Sequence, residues 1–387
     1  MRRFSAGRSG AYNVAMDNGG AIEESVRVAG RSVFDLTRDG LCALLDEWKQ
    51  PGYRATQILE WVYRRGARSY DEMTNLPKDV RSRLGVEVPL FRSSIVQRKR
   101  SGDGTVKLLL SWPDATTSEC VLIPEGERQT ACISTQVGCP VGCVFCASGM
   151  GGLEKSLSGG QIVEQAMRVR QVAGESSRLS NVVFMGLGEP LANYEATVQA
   201  VRTINADWGM GIGARRITIS TIGLPKQIRR LAGEGLQITL AISLHAANDE
   251  LRGELIPWAG KIPIEAVLEA ANEYFERTGR EITFEYLLLG GVNDSASDAR
   301  QLAKLVRRVR SNVNLLVYNP VAGLPYHRPT NDGVRAFQEA LRDAGVNAHV
   351  RTSRGRDIDA ACGQLRRRHA ESTSPAVTDL DVRGIRG

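Results

Sequence analysis

The sequence predicts an α/β fold: a partial (β/α)6-type TIM barrel preceded by a small N-terminal helical domain. From about residue 129 onward, apolar strand-like runs alternate with amphipathic helical segments, the pattern of a parallel sheet. The strand candidates number six or slightly more, short of the eight that close a full barrel. No Gly-x-Gly-x-x-Gly opens the first strand–helix turn, which disfavours a doubly wound open sheet. The chain has 387 residues, 42% hydrophobic and 24% charged, enough to bury one large core and a smaller one beside it. No apolar run approaches the length that crosses a bilayer, so no membrane span is expected.

The elements follow in order. Residues 1–30, rich in Gly, Ser and Arg, read as a disordered extension. The opening MRRFSAGRSG has a faint transit-peptide character, but it reads more simply as an untidy bacterial N-terminus, and cytoplasm is the expected location. Residues 31–87 lack strand alternation and read as a helical accessory domain. There Leu41, Leu44, Leu45 and Trp48 are spaced for one apolar face, and Ile58, Trp61 and Val62 for another. Residues 88–128 read as a β-hairpin linker, with alternating runs flanking the turn at Gly102–Gly104. Residues 129–355 form the barrel, with strands QTACISTQV, NVVFMGLG, RITIST, QITLAISLH, EITFEYLLL, VNLLVYNP and NAHVRT. Helical segments 160–172, 264–277, 299–310 and 334–344 lie between them. Residues 356–387 are a polar segment around Cys362 followed by a basic, flexible tail.

The most informative feature is Cys139-x-x-x-Cys143-x-x-Cys146, on the loop after the first barrel strand. Thiolates favour iron–sulfur clusters and zinc, and a cubane has four irons, so three cysteines leave one iron open to a small molecule. The amino and carboxylate groups of S-adenosylmethionine suit that corner, and an electron from the cluster would cleave the sulfonium to a deoxyadenosyl radical. Structural zinc wants a fourth ligand, and no second C-x-x-C or His-x-x-x-His supplies it. His245, His327, His349 and His369 are scattered. A disulfide scaffold does not suit this length or the absence of a secretory apolar stretch.

Loops at the C-terminal ends of barrel strands form the reactive face. Strand two ends in Gly186-Leu-Gly188-Glu189-Pro190, where glycines admit a ligand and a carboxylate can take an ammonium group. Strand three ends at Ser220 and Thr221, strand four at Ser243, Leu244 and His245, and strand six at Asn319 and Pro320. Each alone is an ordinary helix cap, but their recurrence on one face favours function. Net charge is +7, which favours acidic partners such as nucleic acid. Basic clusters at Arg98–Arg100, Arg215–Arg216 and Arg307–Arg310 read as solvated faces. The triplet Arg366–Arg368, next to Cys362, reads as an RNA contact.

Four stretches, CPVGCVFCASGMGG, FMGLGEPLANY, AISLHAANDELR and DIDAACGQL, together resemble the radical S-adenosylmethionine RNA methyltransferases. The likeness is specifically to the dual-specificity 23S ribosomal RNA and transfer RNA adenine-carbon-2 enzymes, and it runs from about residue 32 to residue 365. It implies a radical S-adenosylmethionine core with a [4Fe-4S] cluster on Cys139, Cys143 and Cys146. It further implies that S-adenosylmethionine, two per turnover, binds against Gly188, Glu189, Ser220, Ser243, Leu244, His245 and Asn319. Cys362 would carry the methyl group, Cys132 would be its redox partner, and Glu119 would be the proton acceptor. The implied partners are 23S rRNA, tRNA and a low-potential electron donor such as flavodoxin or ferredoxin, with a monomer the simplest state. Cys42 and Cys120 read as small buried hydrophobes. From the residues alone Glu119 also reads as a surface charge on an alternating strand. Two rival functions share these features: carbon-8 methylation of adenosine, and a non-catalytic iron–sulfur RNA-binding protein. The second has no use for Glu189, Ser243, Asn319, Cys132 and Cys362.

Overall fold

The computed structural model describes residues 30–174 and 178–365. The N-terminal extension and the basic triplet Arg366–Arg368 lie outside the described residues.

The helical layer comprises α1 (Arg38–Glu47), α2 (Tyr53–Leu59) and α3 (Lys78–Glu87). Thr37 caps α1, its Oγ1 accepting the Gly40 N–H at 3.1 Å. Beyond α2 the chain makes one π-helical turn, Glu60–Arg65, which Gly66 ends in the left-handed region. Leu41, Leu44, Leu45, Trp48, Ile58 and Val62 are all buried, as their spacing requires, while Trp61 is half-buried beneath the Arg65 guanidinium.

Three antiparallel strands follow: β1 (Ser94–Arg100), β2 (Val106–Ser111) and β3 (Thr117–Glu125). The barrel then runs β4 (Arg128–Cys132), β5 (Gln136–Gly138), β6 (Leu153–Ser156), α4 (Gly159–Ala173), β7 (Asn181–Phe184), α5 (Tyr194–Asn205) and β8 (Ile217–Thr221). It continues through α6 (Pro225–Ala232), β9 (Thr239–Ser243), α7 (Asp249–Leu255), α8 (Ile264–Thr278) and β10 (Ile282–Leu288). It ends with α9 (Ala296–Val306), β11 (Ser311–Val317), α10 (Asn331–Asp343) and β12 (Ala348–Arg351). One sheet holds ten strands in the order β1-β2-β3-β4-β7-β8-β9-β10-β11-β12, and β5 and β6 form a separate ribbon.

Two features differ in detail from the sequence reading. The stretch read as a hairpin linker is three strands, and β3 pairs antiparallel with β4, Val121 opposite Cys132, so the extension and the barrel share one sheet. The run QTACISTQV, read as one strand, is two. After Cys132 the chain leaves the sheet, and β5 pairs with β6 instead.

Alternation along each strand sorts side chains between two faces. On the outer face Leu108, Cys120, Ala131, Val182, Ile219, Leu240, Phe284 and Val313 belong to the core under the helices. The opposite parity, including Lys107, Glu119, Cys132, Thr218, Ser220, Ser243, Glu285 and Asn314, therefore faces inward. The helical layer joins that same outer core through α4. Phe34 meets Tyr63 and Phe91 at ring separations of 6.0 and 5.3 Å. Arg170 donates to the Tyr63 and Arg64 carbonyls, and Asp35 Oδ1 accepts from Ser158 Oγ and the Gly160 N–H at the start of α4.

Because the helical layer and barrel share a core, Phe34→Ala is expected to cost about 3–5 kcal/mol. Urea unfolding followed by circular dichroism should show one transition at a lower midpoint. Two separated transitions would contradict the shared core.

Candidate active site

The cysteine loop is closed by the β5–β6 ribbon, whose close approach only glycine permits. Gly138 has φ +78°, and a Cβ there would lie 2.0 Å from the Gly152 carbonyl oxygen. The Cys139 N–H donates to that carbonyl at 3.0 Å, and the Val144 N–H reaches the Leu255 carbonyl of α7 at 3.1 Å. Val141, Phe145, Ile222, Leu287 and Tyr318 form an apolar shell against which the three thiols pack. Burial pushes the Cys139 thiol up to about 12 and also raises the Cys143 thiol well above its ordinary value, with Cys146 and Cys139 adding to the effect on Cys143. The thiols therefore feel one another. Three neighbouring thiols in an apolar shell suit an iron–sulfur cluster with one open iron, whereas structural zinc takes four ligands.

The predicted strand ends surround this loop. Gly188 has φ +105°, and a Cβ there would strike Gln136 and Thr135 within 2.8 Å. The next N–H, of Glu189, donates to Gln136 Oε1 at 2.9 Å. The buried Glu189 carboxylate accepts from the Leu191 and Ile222 N–H groups at 3.0 and 2.9 Å. Burial raises it to about 7 even though these bonds and Thr221 pull the other way. A carboxylate offers about four lone-pair sites, so Glu189 retains acceptor capacity for a ligand. Ser220 and Ser243 lie on the inner face.

His245 has φ +59° and is buried, and its Nδ1 accepts the Leu287 N–H at 3.1 Å, which assigns the proton of the neutral ring to Nε2. Burial, then Arg252, lowers it to about 3. Its ring stands edge-on to Phe145 of the cysteine loop at 5.2 Å. The Leu244 side chain lies in the outer core, away from the inner face. Asn319 is 3% exposed, and its Oδ1 has no partner among the described residues, nor has Thr135 Oγ1 or the Tyr318 hydroxyl. Orphaned buried polar atoms of this kind beside the cysteine loop fit a polar ligand such as S-adenosylmethionine.

On the other side of the inner face lie Glu119, Cys132 and Cys362. Glu119 is 1% exposed, so the surface-charge reading does not hold. Its carboxylate pairs with the equally buried Lys107 ammonium at 3.1 Å. Removing one partner of such a buried pair typically costs about 3–5 kcal/mol. Burial pushes the Cys132 thiol up to about 12, with a further contribution from neighbouring Cys362. Cys362 is exposed by surface area, yet the surrounding protein raises its thiol, with Glu285 next in effect. All seven cysteines are free thiols; Cys120 is buried under α4, and Cys42 is half-buried.

Lys107 and Glu285 are site residues the sequence reading passed over. Glu285, in β10, is buried and raised by that burial, and its Oε1 accepts from Asn314 Nδ2 at 2.9 Å. Each had a signal: a single charge inside an otherwise apolar run, VKLLL and TFEYLLL, is a candidate for an inward position.

An open parallel barrel with three cysteines on the loop after its first strand, and polar strand ends around them, defines a radical S-adenosylmethionine enzyme. Residues 133–306 match the Radical SAM superfamily, and residues 32–88 match the ribosomal RNA large subunit methyltransferase N-terminal domain. The crystal structure of a radical SAM methyltransferase from Sphaerobacter thermophilus superposes with a TM-score of 0.84 at 45% identity, covering 86% of this chain and 98% of that one. A curated "Probable dual-specificity RNA methyltransferase RlmN" of Rhodopirellula baltica is 47% identical over 348 residues, 90% of this chain and 94% of its own length. Another so named, from Gloeobacter violaceus, is 50% identical over 319 residues, 82% of this chain and 90% of its own.

The chain belongs to the dual-specificity RNA methyltransferase RlmN family. It is a radical S-adenosylmethionine RNA methyltransferase, and membership implies a [4Fe-4S] cluster, S-adenosylmethionine and an RNA substrate. Among the described residues no helix is long and apolar enough to cross a membrane.

Gly138→Ala should displace the ribbon that closes the loop and lower iron and sulfide content after anaerobic reconstitution. Gly85→Ala, at a helical site with nothing within 4 Å, should leave loading unchanged. Equal loading of all three proteins would refute this role for Gly138.

Proposed function

We propose that this enzyme methylates carbon 2 of adenosine in 23S ribosomal RNA and in transfer RNA, through a methylated Cys362 and a covalent protein–RNA intermediate. The observation that supports the reading is the neighbourhood of Cys362: the Cys132 and Cys146 thiols are near enough to couple to it electrostatically, and a buried carboxylate, Glu119, lies on the same inner face. Carbon 2 of adenine is electron-poor and bears no acidic proton, so polar methyl transfer to it is very slow and a radical route is needed.

Cys139, Cys143 and Cys146 hold the cluster, and Gly188, Glu189, Ser220, Ser243, His245 and Asn319, with the Leu244 backbone, surround S-adenosylmethionine. When bound, these groups supply the methyl for Cys362 from one S-adenosylmethionine and the radical that activates it from a second. The protein's own residues do the rest. Cys362 sulfur carries the carbon that joins the ring. Glu119 takes the ring proton. The Cys132 sulfur, giving up its proton, attacks Cys362 sulfur; the electron pair of the broken sulfur–carbon bond stays on carbon, which takes a proton to complete the methyl group. The methylated base leaves, and a disulfide remains that an external reductant must open. The apolar shell around the cysteine loop keeps water from the reactive species.

An adenine edge in a paired helix is hard to reach, so the target is a loop or flipped nucleotide. The helical layer 31–87 and the basic tail supply backbone contacts, cytoplasm is the compartment where both RNAs meet the enzyme, and a low-potential flavodoxin or ferredoxin supplies electrons.

Anaerobic reactions with RNA test the scheme. Wild type should give 5′-deoxyadenosine and 2-methyladenosine by mass spectrometry, and 8-methyladenosine would overturn the regiochemistry. Cys362→Ala should give no methylated base. Cys132→Ala should accumulate a protein–RNA adduct visible on a denaturing gel, and absence of any adduct would count against the covalent route.

A further inference from the structure

The extension β1–β3 has no part in the scheme above beyond contributing Glu119. Its contacts, however, converge on the segment that carries Cys362. The Lys107 ammonium, 2% exposed, holds two groups at once: the Glu119 carboxylate at 3.1 Å and the backbone carbonyl of Asp359, to which it donates at 2.8 Å. The turn between β1 and β2 reinforces this grip. Ser101 Oγ donates to Asp357 at 2.5 Å, the Gly102 N–H donates to the same carboxylate at 3.3 Å, and Asp103 accepts the Gly355 N–H at 2.9 Å. A Cβ on Gly355, at φ +64°, would lie 2.8 Å from Thr105, so turn and segment meet at van der Waals contact. The far end of the segment is tied to the cysteine loop instead, the Ala147 N–H donating to the Gly363 carbonyl at 2.8 Å and Ser148 Oγ to the Leu365 carbonyl at 2.7 Å. Cys362 lies between the two anchorages.

We propose that Lys107 is a positioning residue that fixes the Cys362 segment against the inner face, so that one ammonium sets Glu119 and Cys362 in a common frame. This rests on the reading in which Cys132 and Cys362 react with one another. A buried ion pair is costly to desolvate and is often replaceable by apolar residues. A lysine one of whose donors reaches the backbone of a catalytic segment has a reason to be there that an apolar pair cannot supply. The tether raises the effective concentration of Cys362 at Cys132.

The test needs neither RNA nor turnover. Anaerobic, cluster-loaded protein is equilibrated with oxidised and reduced glutathione. Two thiols, Cys132 and Cys362, exchange with one oxidised glutathione to give one protein disulfide and two reduced glutathione molecules. Alkylation and peptide mass mapping give the effective concentration of the pair. Lys107→Met should lower it by about tenfold or more, and Lys107→Arg, which keeps a cation able to span both acceptors, should stay within about threefold of wild type. Should Lys107→Met fail to fold because Glu119 is left buried and unpaired, Lys107→Met with Glu119→Gln removes both charges and still lacks the tether, so the same tenfold fall is expected. A wild-type value in either of these proteins, or an arginine variant that falls as far as methionine, overturns the proposal. If wild type itself forms no Cys132–Cys362 disulfide, the underlying reading fails and the proposal with it. A wild-type disulfide undiminished in the variants sinks the proposal alone.

Discussion

The site depends on the register between β3 and β4. Val121 stands opposite Cys132, and this one pairing joins an antiparallel extension to a parallel barrel in a single sheet. Side-chain direction alternates along every strand, so a one-residue slip would send Glu119 to the outer face and bring Cys120 inward. In the observed register, Lys107 on β2, Glu119 on β3 and Cys132 on β4 all face the same way. The row continues through Val183 on β7 and Thr218 on β8. The outer face meets helices and is mostly apolar, and it is this outer core that holds the register.

An inner face so arranged carries an unusual load of buried polar groups. Glu119 pairs with Lys107, Glu285 with Asn314, and Glu189 with two backbone N–H groups. Arg252, 1% exposed, spends its guanidinium on the Ile222 and Ile262 carbonyls, which braces the end of β8 behind the cysteine loop. Burying a polar group costs free energy unless it is bonded, and these are bonded. Among the buried polar atoms that lack a partner among the described residues, Asn319 Oδ1, Thr135 Oγ1 and the Tyr318 hydroxyl fall beside the cysteine loop, where a polar ligand is expected.

The last described segment differs from the barrel in kind. It has little regular structure, and hydrogen bonds tie it to four separate places: the β1–β2 turn, Lys107 of β2, Pro320 after β11, and the cysteine loop. Beside these bonds, Ala360 and Leu365 are buried against Val121, Cys132 and Leu187, so a small apolar cluster as well as the hydrogen bonds locates the segment. In the proposed scheme Cys362 has to meet a methyl donor and then a substrate.

Much of this was legible in the chain alone. The spacing of Cys139, Cys143 and Cys146 pointed to cluster chemistry, because ligand count and type are properties of local sequence. Strand and helix alternation determined the barrel, and the apolar spacing of Leu41, Leu44, Leu45 and Trp48 determined a helical face, because both periodicities are local. The tertiary structure alone decided what lies opposite what. It turned Glu119 from a residue readable as surface charge into a buried partner of Lys107, split QTACISTQV where its second half pairs with β6, and merged the supposed linker into the main sheet. It also brought Cys362 beside Cys132 across 230 positions of chain. Those outcomes rest on strand register and long-range hydrogen bonds between residues far apart in sequence, and no local pattern encodes them.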